Sequence, residues 1–283
     1  MPTTFCPELV GSMSQGAAGN PTVAMVEAAF AHHGLDWRYI NMEVSPADLP
    51  AAVQGARALG FRGFNLSLPH KVSVIPLLDG LGQSAALMGA VNCVVRRGDQ
   101  FIGENTDGKG FLASLQTLID PVGKTVVLFG AGGAARAIAV ELALAGASTL
   151  QIVNRDSTRG TELADLIQTK TATRACHLPW TPGFQIPPEA DIVINATSIG
   201  LYDENAALDI DPASLQPAMV VADVIFNPVR TRLLRDAETR GCRTLDGLGM
   251  LVNQGVIGIH YWTGLDPDPT VMKDALQIAL GNS

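Results

Sequence analysis

Aromatic side chains make up only 5% of the 283 residues, and charged ones only 16%. The charge present is of the wrong sign for a nucleic-acid partner. Lys and Arg number 19 against 27 Asp and Glu, giving a net charge of −8. A general nucleic-acid binder carries a basic patch, so that class is excluded. No apolar run approaches the roughly 18 residues of a membrane-spanning helix, and no membrane partner is expected. No Lys or Arg occurs before Arg38, so no signal peptide with a charged leading segment is expected. The four cysteines (6, 93, 176, 242) lie far apart and form no metal-ligand pair. They read as reduced, mostly buried thiols of a cytoplasmic protein. The five histidines show no ligand spacing either; His32 and His33 read as surface residues at a helix end. No metal site is expected. Internal repeats and low-complexity tracts are absent. What remains is a chain 47% hydrophobic and long enough for two domains, each with its own core.

Residues 125–159 carry the clearest pattern. A short apolar run (Thr125–Phe129) meets glycines at 130, 132 and 133. A helical pattern follows over Ala134–Ala145, then a second apolar run over Thr149–Val153. This is a βαβ unit with a G-x-G-x-x-A turn, the dinucleotide-binding pattern. Gly130 allows the sharp turn, Gly132 removes a side chain where a pyrophosphate approaches, and Ala135 lets helix and strand pack closely. The helix then aims unpaired N–H groups and its positive dipole end at the phosphates. An NAD site places Asp or Glu at the end of the second strand. Here that place holds Asn154, Arg155, Asp156, Ser157, Thr158 and Arg159. Two guanidiniums on one short loop can hold a 2′-phosphate, which favours NADP, with NAD the alternative. Asp156 is discordant: it can repel a phosphate, accept from a ribose hydroxyl, or cap a helix starting near Thr158.

The preceding 120 or so residues alternate as well. Val23–His32 and Pro46–Leu59 read as helices, and Trp37–Met42 and Gly63–Leu68 as strands. Val72–Leu78 reads as helical, and Val91–Val95 with Phe101–Gly103 as a hairpin. Later, Asp191–Ala196, Met219–Val224 and Arg243–Leu245 read as strands, 177–190 as a Pro-rich loop, and Gly249–Tyr261 and Thr270–Leu280 as helices. The fold class is therefore two α/β domains, the second a Rossmann-like parallel sheet.

Three polar clusters interrupt this pattern. In strand Gly63–Leu68, Phe64, Leu66 and Leu68 share one face and Asn65 and Ser67 the other. The polar pair either lines a pocket at the strand's carboxyl end or makes local turn bonds; Lys71 follows just beyond. In Gly103–Gly108, Asp107 either caps a helix starting at Gly108 or faces a substrate cleft. In Gly247–Gln254, Gln254 sits among Leu251, Val252 and Val256, either as a plain helix glutamine or as a ligand.

Taken together, these stretches resemble the shikimate/quinate dehydrogenase family. Asn65–Lys71 is similar to that family's N-V-T-x-P-x-K motif, Gly89–Asn92 to G-A-V-N, and Asn105–Gly108 matches N-T-D-G. Gly130–Arg136 repeats G-A-G-G-A-x-R. Asn195–Gly200 resembles N-A-T-S-x-G, Asp223–Pro228 resembles D-x-x-Y-N-P, and Gly247–Gln254 resembles G-x-x-M-L-V-x-Q. The resemblance implies a discontinuous catalytic domain, residues 1–107 plus 246–283, with a nucleotide domain, 108–245, inserted. It implies Lys71 and Asp107 as the catalytic pair, with Asn20, Ser67, Asn92, Asn105 and Gln254 around a small-molecule substrate. The cofactor set is Gly130, Gly132, Gly133, Ala134, Asn154, Arg155, Arg159 and Thr197. The implied reaction is reversible NADP-dependent reduction of 3-dehydroshikimate to shikimate, a step of aromatic amino acid biosynthesis, or of a close analogue. Quinate or aminoshikimate dehydrogenase activity is one alternative, and a non-catalytic dinucleotide-binding regulator another.

The chain departs from the family at one end of the substrate. The family's S-x-S-P, whose hydroxyls bind the substrate carboxylate, becomes Ala18-Gly19-Asn20-Pro21. Neither hydroxyl is present, Ser12 or Ser14 is the available substitute, and Asn20 can donate one hydrogen bond. Phe226 replaces a tyrosine. Asp156 replaces the threonine of N-R-T-x-x-R, against the NADP assignment.

Overall fold

The computed structural model describes residues 6–281. By compactness the chain divides into two units: residues up to Thr106 together with Gln254 onward, and Asp107–Asn253.

The first unit runs β1 (Glu8–Ser14), α1 (Thr22–His32), β2 (Trp37–Glu43), α2 (Leu49–Ala58), β3 (Gly63–Leu66), the single turn α3 (His70–Ser73), β4 (Gly80–Leu81), α4 (Gln83–Met88), β5 (Cys93–Arg97) and β6 (Gln100–Glu104). Its sheet is ordered β2-β1-β3-β5-β6-β4. β2, β1 and β3 are parallel, and β5 is antiparallel to both β3 and β6. One face buries Met13, Val53, Phe64, Leu66, Val74 and Phe101, with Phe64 and Phe101 edge to face at 5.4 Å, a favourable aromatic geometry. β3 ends earlier than its alternation predicts. Leu68 does not continue the buried face of Phe64 and Leu66 and is 75% exposed. The chain turns instead, so that Ser67 N donates to Met13 O and His70 N to Ser67 O.

The second unit runs α5 (Asp107–Leu115), β7 (Thr125–Phe129), α6 (Gly133–Leu144), β8 (Thr149–Asn154), α7 (Ser157–Lys170), β9 (Arg174–Pro179), β10 (Ile192–Asn195), β11 (Val220–Asp223), α8 (Arg232–Thr239) and β12 (Arg243–Leu245). The sheet order β12-β11-β10-β7-β8-β9 is parallel throughout. That is the doubly wound nucleotide-binding order, with its switch point between β7 and β10. Val126, Val127 and Leu128 are fully buried, as expected of strands covered on both faces. Residues 177–179, expected in a loop, complete β9, and the connection to β10 that follows is irregular.

Two last helices, α9 (Leu248–Thr263) and α10 (Pro269–Ala279), close the chain. The return to the first unit comes at Gln254, inside α9, rather than at Asp246. The start of α9 packs within the second unit: Asn253 Nδ2 donates to Ser114 Oγ at 2.9 Å, and a side chain added at Gly249 would meet that same oxygen at 2.7 Å. Among the described residues no helix is long and apolar enough to cross a membrane.

Candidate functional site

The first unit gathers polar side chains at the carboxyl ends of β2, β1 and β3, where α/β sheets place ligands. Asn41, Ser12 and Asn65 lie in register across the three strands. Ser12 Oγ donates to Asn41 Oδ1 at 2.9 Å and accepts from Asn20 Nδ2 at 3.0 Å. Asn20 Oδ1 accepts from Thr22 N at 3.1 Å, tying the loop to the start of α1. Asn41 Nδ2 donates to Asn20 O. Asn65 accepts from the Tyr39 hydroxyl at 2.8 Å and donates to Asn92 O. Burial pushes the Tyr39 phenol far above its ordinary range, so it stays a neutral donor. Ser12 is 1% exposed with its hydroxyl engaged on both sides. It therefore does not supply the missing loop hydroxyl, and Ser14 is likewise a buried strand residue.

Lys71 sits half-buried in α3. Its backbone is fixed from both sides: Val91 N donates to Lys71 O at 2.8 Å, and the ring of the buried His70 donates from Nε2 to Val44 O at 2.8 Å. Leu68 O accepts from Gln15 N, which joins the lysine-bearing segment to the loop after β1. Ser67 is exposed at this edge. Asn92 is buried and clamped to Thr106, donating to its Oγ1 at 3.0 Å and accepting from its N–H at 2.7 Å. Asn105 donates to Ala90 O. Gln254, 8% exposed in α9, accepts from Thr106 Oγ1 at 3.5 Å. It is a buried glutamine, not the partly exposed one its helix pattern allowed.

The second unit carries its polar groups at the ends of β7, β8 and β10. Gly130 has φ +109°, and a side chain there would lie 2.9 Å from Ala196 O. The fold itself demands glycine at that position. At Gly132 and Gly133 an added carbon would meet nothing within 4 Å, and neither has a positive φ. No protein atom requires those two glycines, so the open space beside them fits a pyrophosphate, at the N-terminus of α6. Ala135 is fully buried beneath them. Asn195 links this edge to β11. Its amide donates to Asp223 Oδ1 at 2.9 Å, and its oxygen accepts from the N–H and hydroxyl of Thr197. Burial raises the Asp223 carboxyl to about 6, against the pull of Thr231, Ile225 and Asn195.

Asp107 opens α5, half-buried, as its first helical residue rather than as a cap ahead of it. α5 lies tightly on α6. A side chain at Gly108 would strike Ala137 O at 2.3 Å, and Lys109 pairs with the buried Glu141 at 3.0 Å.

The loop after β8 resolves the choice at Asp156. Its carboxylate accepts from Arg159 N at 3.2 Å and caps α7, which starts at Ser157. Asn154 Nδ2 donates to Asp156 O. The Arg155 guanidinium stacks 5.0 Å over Trp180, a cation–π contact that holds it at the strand ends. Trp180 was not singled out from sequence, because the residues around it carried only a loop signal. The kind of alternation that marks Asn65 in β3 recurs in β2 as Tyr39, Asn41 and Glu43, and it locates the polar row just as well.

Arg155→Ala is expected to weaken NADP binding much more than NAD binding, since only NADP carries the 2′-phosphate. Asp156→Thr keeps a capping oxygen and removes a negative charge, so the NADP preference is expected to rise. Titration of both cofactors against both variants checks this; equal losses for NADP and NAD in Arg155→Ala would refute the assignment.

The family model described as the shikimate dehydrogenase substrate binding domain matches residues 20–94. The shikimate / quinate 5-dehydrogenase model matches 114–207, and the shikimate 5′-dehydrogenase C-terminal domain matches 247–277. The shikimate dehydrogenase (NADP(+)) of Geobacter metallireducens is 40% identical over 96% of this chain and 96% of its own. The ligand-free 5-ketofructose reductase of a Gluconobacter strain is 56% identical, with TM-score 0.96, covering 97% of this chain and 99% of that one. Shikimate 5-dehydrogenase from Listeria monocytogenes, in complex with shikimate and NAD, is 33% identical with TM-score 0.91, covering 98% of each chain. The chain belongs to the shikimate dehydrogenase family of oxidoreductases.

Proposed function

We propose that this protein is an NADP-dependent carbonyl reductase of its family whose substrate is a small, uncharged, polyhydroxylated ketone of the 5-ketofructose class, rather than a ring acid. The family reaction is reduction of 3-dehydroshikimate to shikimate or of a close analogue, and the substrate end of this chain favours a neutral analogue. The observation that carries this is the loop after β1. Ala18 and Asn20 stand where the resemblance places carboxylate-binding hydroxyls, and Asn20 already spends its amide on Thr22 and Ser12. The row Asn41–Ser12–Asn65 is built of neutral groups, which suits hydroxyls. The identity of 56% to a 5-ketofructose reductase, against 40% to the Geobacter shikimate dehydrogenase, points the same way.

The residues present fit the dinucleotide: the open glycines 132 and 133, with Ala134 behind them, accommodate the pyrophosphate, and Arg155 and Arg159 the 2′-phosphate. Asn154 and Thr197 shape the loops around them. When bound, the nicotinamide supplies the hydride. Lys71, protonated, meets the negative charge that develops on the carbonyl oxygen and gives that oxygen its proton. The resemblance assigns to Asp107 the part of accepting from a neighbouring substrate hydroxyl and so orienting the substrate. Asn65, Ser67, Asn92, Asn105 and Gln254 order the remaining hydroxyls, directly or by fixing their neighbours. The reaction runs in the cytoplasm, where the four cysteines stay reduced.

The test is a substrate panel at saturating NADPH: 5-ketofructose and 3-dehydroshikimate, with shikimate and quinate followed in reverse with NADP. The expected result is a kcat/KM for 5-ketofructose at least about 10² above that for 3-dehydroshikimate. The reverse order would overturn the reading.

A further inference from the structure

A second charged group lies beside the same loop. Glu43, the last residue of β2, lies in register with Ser14, the last residue of β1. Its carboxylate reaches across to the loop that follows β1. Oε1 accepts from Gly16 N at 2.9 Å and Oε2 from Ala17 N at 2.7 Å. These two donors hold the carboxyl below its usual range. Gly16 is left-handed, with φ +73°, and Ala17 begins the short turn that follows. Successive backbone N–H groups in that arrangement form an anion-binding concavity, and here the chain's own carboxylate fills it.

The place matters as much as the contact. Ala17 directly precedes Ala18. Gln15, on the same loop, donates to Leu68 O, three residues before Lys71. The residue after Glu43 is Val44, whose carbonyl accepts from His70, the neighbour of Lys71. Val44 N in turn donates to Ser14 O. Glu43 is thus built into the carboxyl edge of the sheet that carries the candidate substrate groups. Its two oxygens face backbone donors rather than a cation, so its charge is not cancelled there by an ion pair.

We infer that Glu43 is a specificity-determining residue. It occupies the backbone donors of Gly16 and Ala17, next to position 18, and repels an incoming carboxylate by its own charge, and so restricts the site to uncharged substrates. This rests on the neutral-ketone reading above. Like charges within about a Debye length interact through water by amounts that salt screens, which gives the inference a signature that a merely structural glutamate lacks.

The experiment compares wild type, Glu43→Gln and Glu43→Ala at saturating cofactor. For each, kcat/KM is measured for 5-ketofructose and for 3-dehydroshikimate across a salt series. In Glu43→Gln, which keeps one acceptor for the loop, the ratio of acid to neutral substrate is expected to rise roughly tenfold. In wild type the acid's kcat/KM is expected to increase with ionic strength more steeply than the neutral ketone's, and Glu43→Gln should flatten that difference. The wild-type series needs no variant and stands if a substituted loop misfolds. A ratio unchanged or lower in both variants, or a wild-type salt dependence equal for the two substrates, overturns the role of Glu43. Wild type preferring 3-dehydroshikimate overturns the neutral-ketone reading itself, and is told apart because it shows before any variant is made.

Discussion

Lys71→Ala is expected to lower kcat by about 10²–10⁴, the range for losing a positioned acid–base group, while cofactor affinity stays within a few-fold of wild type. The two effects separate because the lysine and the dinucleotide loops belong to different compact units. The Lys71 backbone is held by bonds that do not involve its own side chain, from Val91 N to its carbonyl and from the ring of the neighbouring His70 to Val44 O. Truncation beyond the backbone should therefore leave α3 in place. Lys71→Arg is the sharper control. It keeps a positive charge but cannot surrender a proton near neutral pH. If the arginine variant recovers most of the lost kcat, Lys71 acts as a fixed cation; if it stays near the alanine variant, proton transfer is the main contribution. Single-turnover hydride transfer and direct cofactor titration measure the two quantities. A kcat unchanged in Lys71→Ala would remove the lysine from the mechanism.

How much of this was legible beforehand divides along physical lines. The nucleotide unit was readable because its requirements are local. A strand buried on both faces is a continuous apolar run, and a glycine turn before a helix is a short-range pattern. Gly130, Gly132 and Gly133 could be marked as candidates from spacing alone. Separating their reasons took coordinates: Ala196 O crowds Gly130, and nothing crowds the other two. Asp156 was ambiguous because capping, repulsion and ribose binding all suit an aspartate after a strand; the bond to Arg159 N fixed the first as its role in the fold. The substrate side was harder. Strand β1 lacks a marked alternation, and the row Asn41–Ser12–Asn65 exists only through parallel pairing of three segments distant in sequence. Ser12 was the natural substitute for a lost hydroxyl, but its strand position and two partners are tertiary facts. Leu68 went astray because alternation continued past the turn that the contact between Ser67 N and Met13 O imposes. Glu43 carried no motif at all; its meaning lies in what it reaches.

Ala18→Ser and Asn20→Ser test the loop most directly. Wild type is expected to handle shikimate poorly, with KM raised more than kcat is lowered. That pattern marks lost ground-state binding when the hydride-transfer geometry is intact. Each missing hydrogen bond to a carboxylate is worth about 1.5–3 kcal/mol, so two account for a deficit of roughly 10²-fold or more in kcat/KM. The two reversions are not equivalent. Ala18 is exposed, so a hydroxyl there disturbs nothing already bonded and should return about tenfold or more, through KM. Asn20 holds Thr22 N with its oxygen and Ser12 Oγ with its amide. Serine at 20 is a sound residue ahead of a helix, but it forfeits the reach to Ser12 and frees a hydroxyl 1% exposed. Asn20→Ser alone is therefore expected to lose thermal stability and to gain less on shikimate than Ala18→Ser. The double variant should fall short of the sum of the two, because Glu43 still takes up the N–H groups of Gly16 and Ala17 next to position 18. Adding Glu43→Gln to Ala18→Ser should then raise the gain beyond the product of the separate effects, since one change supplies a donor and the other admits the charge it binds. Steady-state kinetics of these variants on shikimate with NADP, beside their melting temperatures, decides it. A wild-type KM in the tens of micromolar, insensitive to Asn20→Ala and Ala18→Ser, would remove this loop from substrate selection.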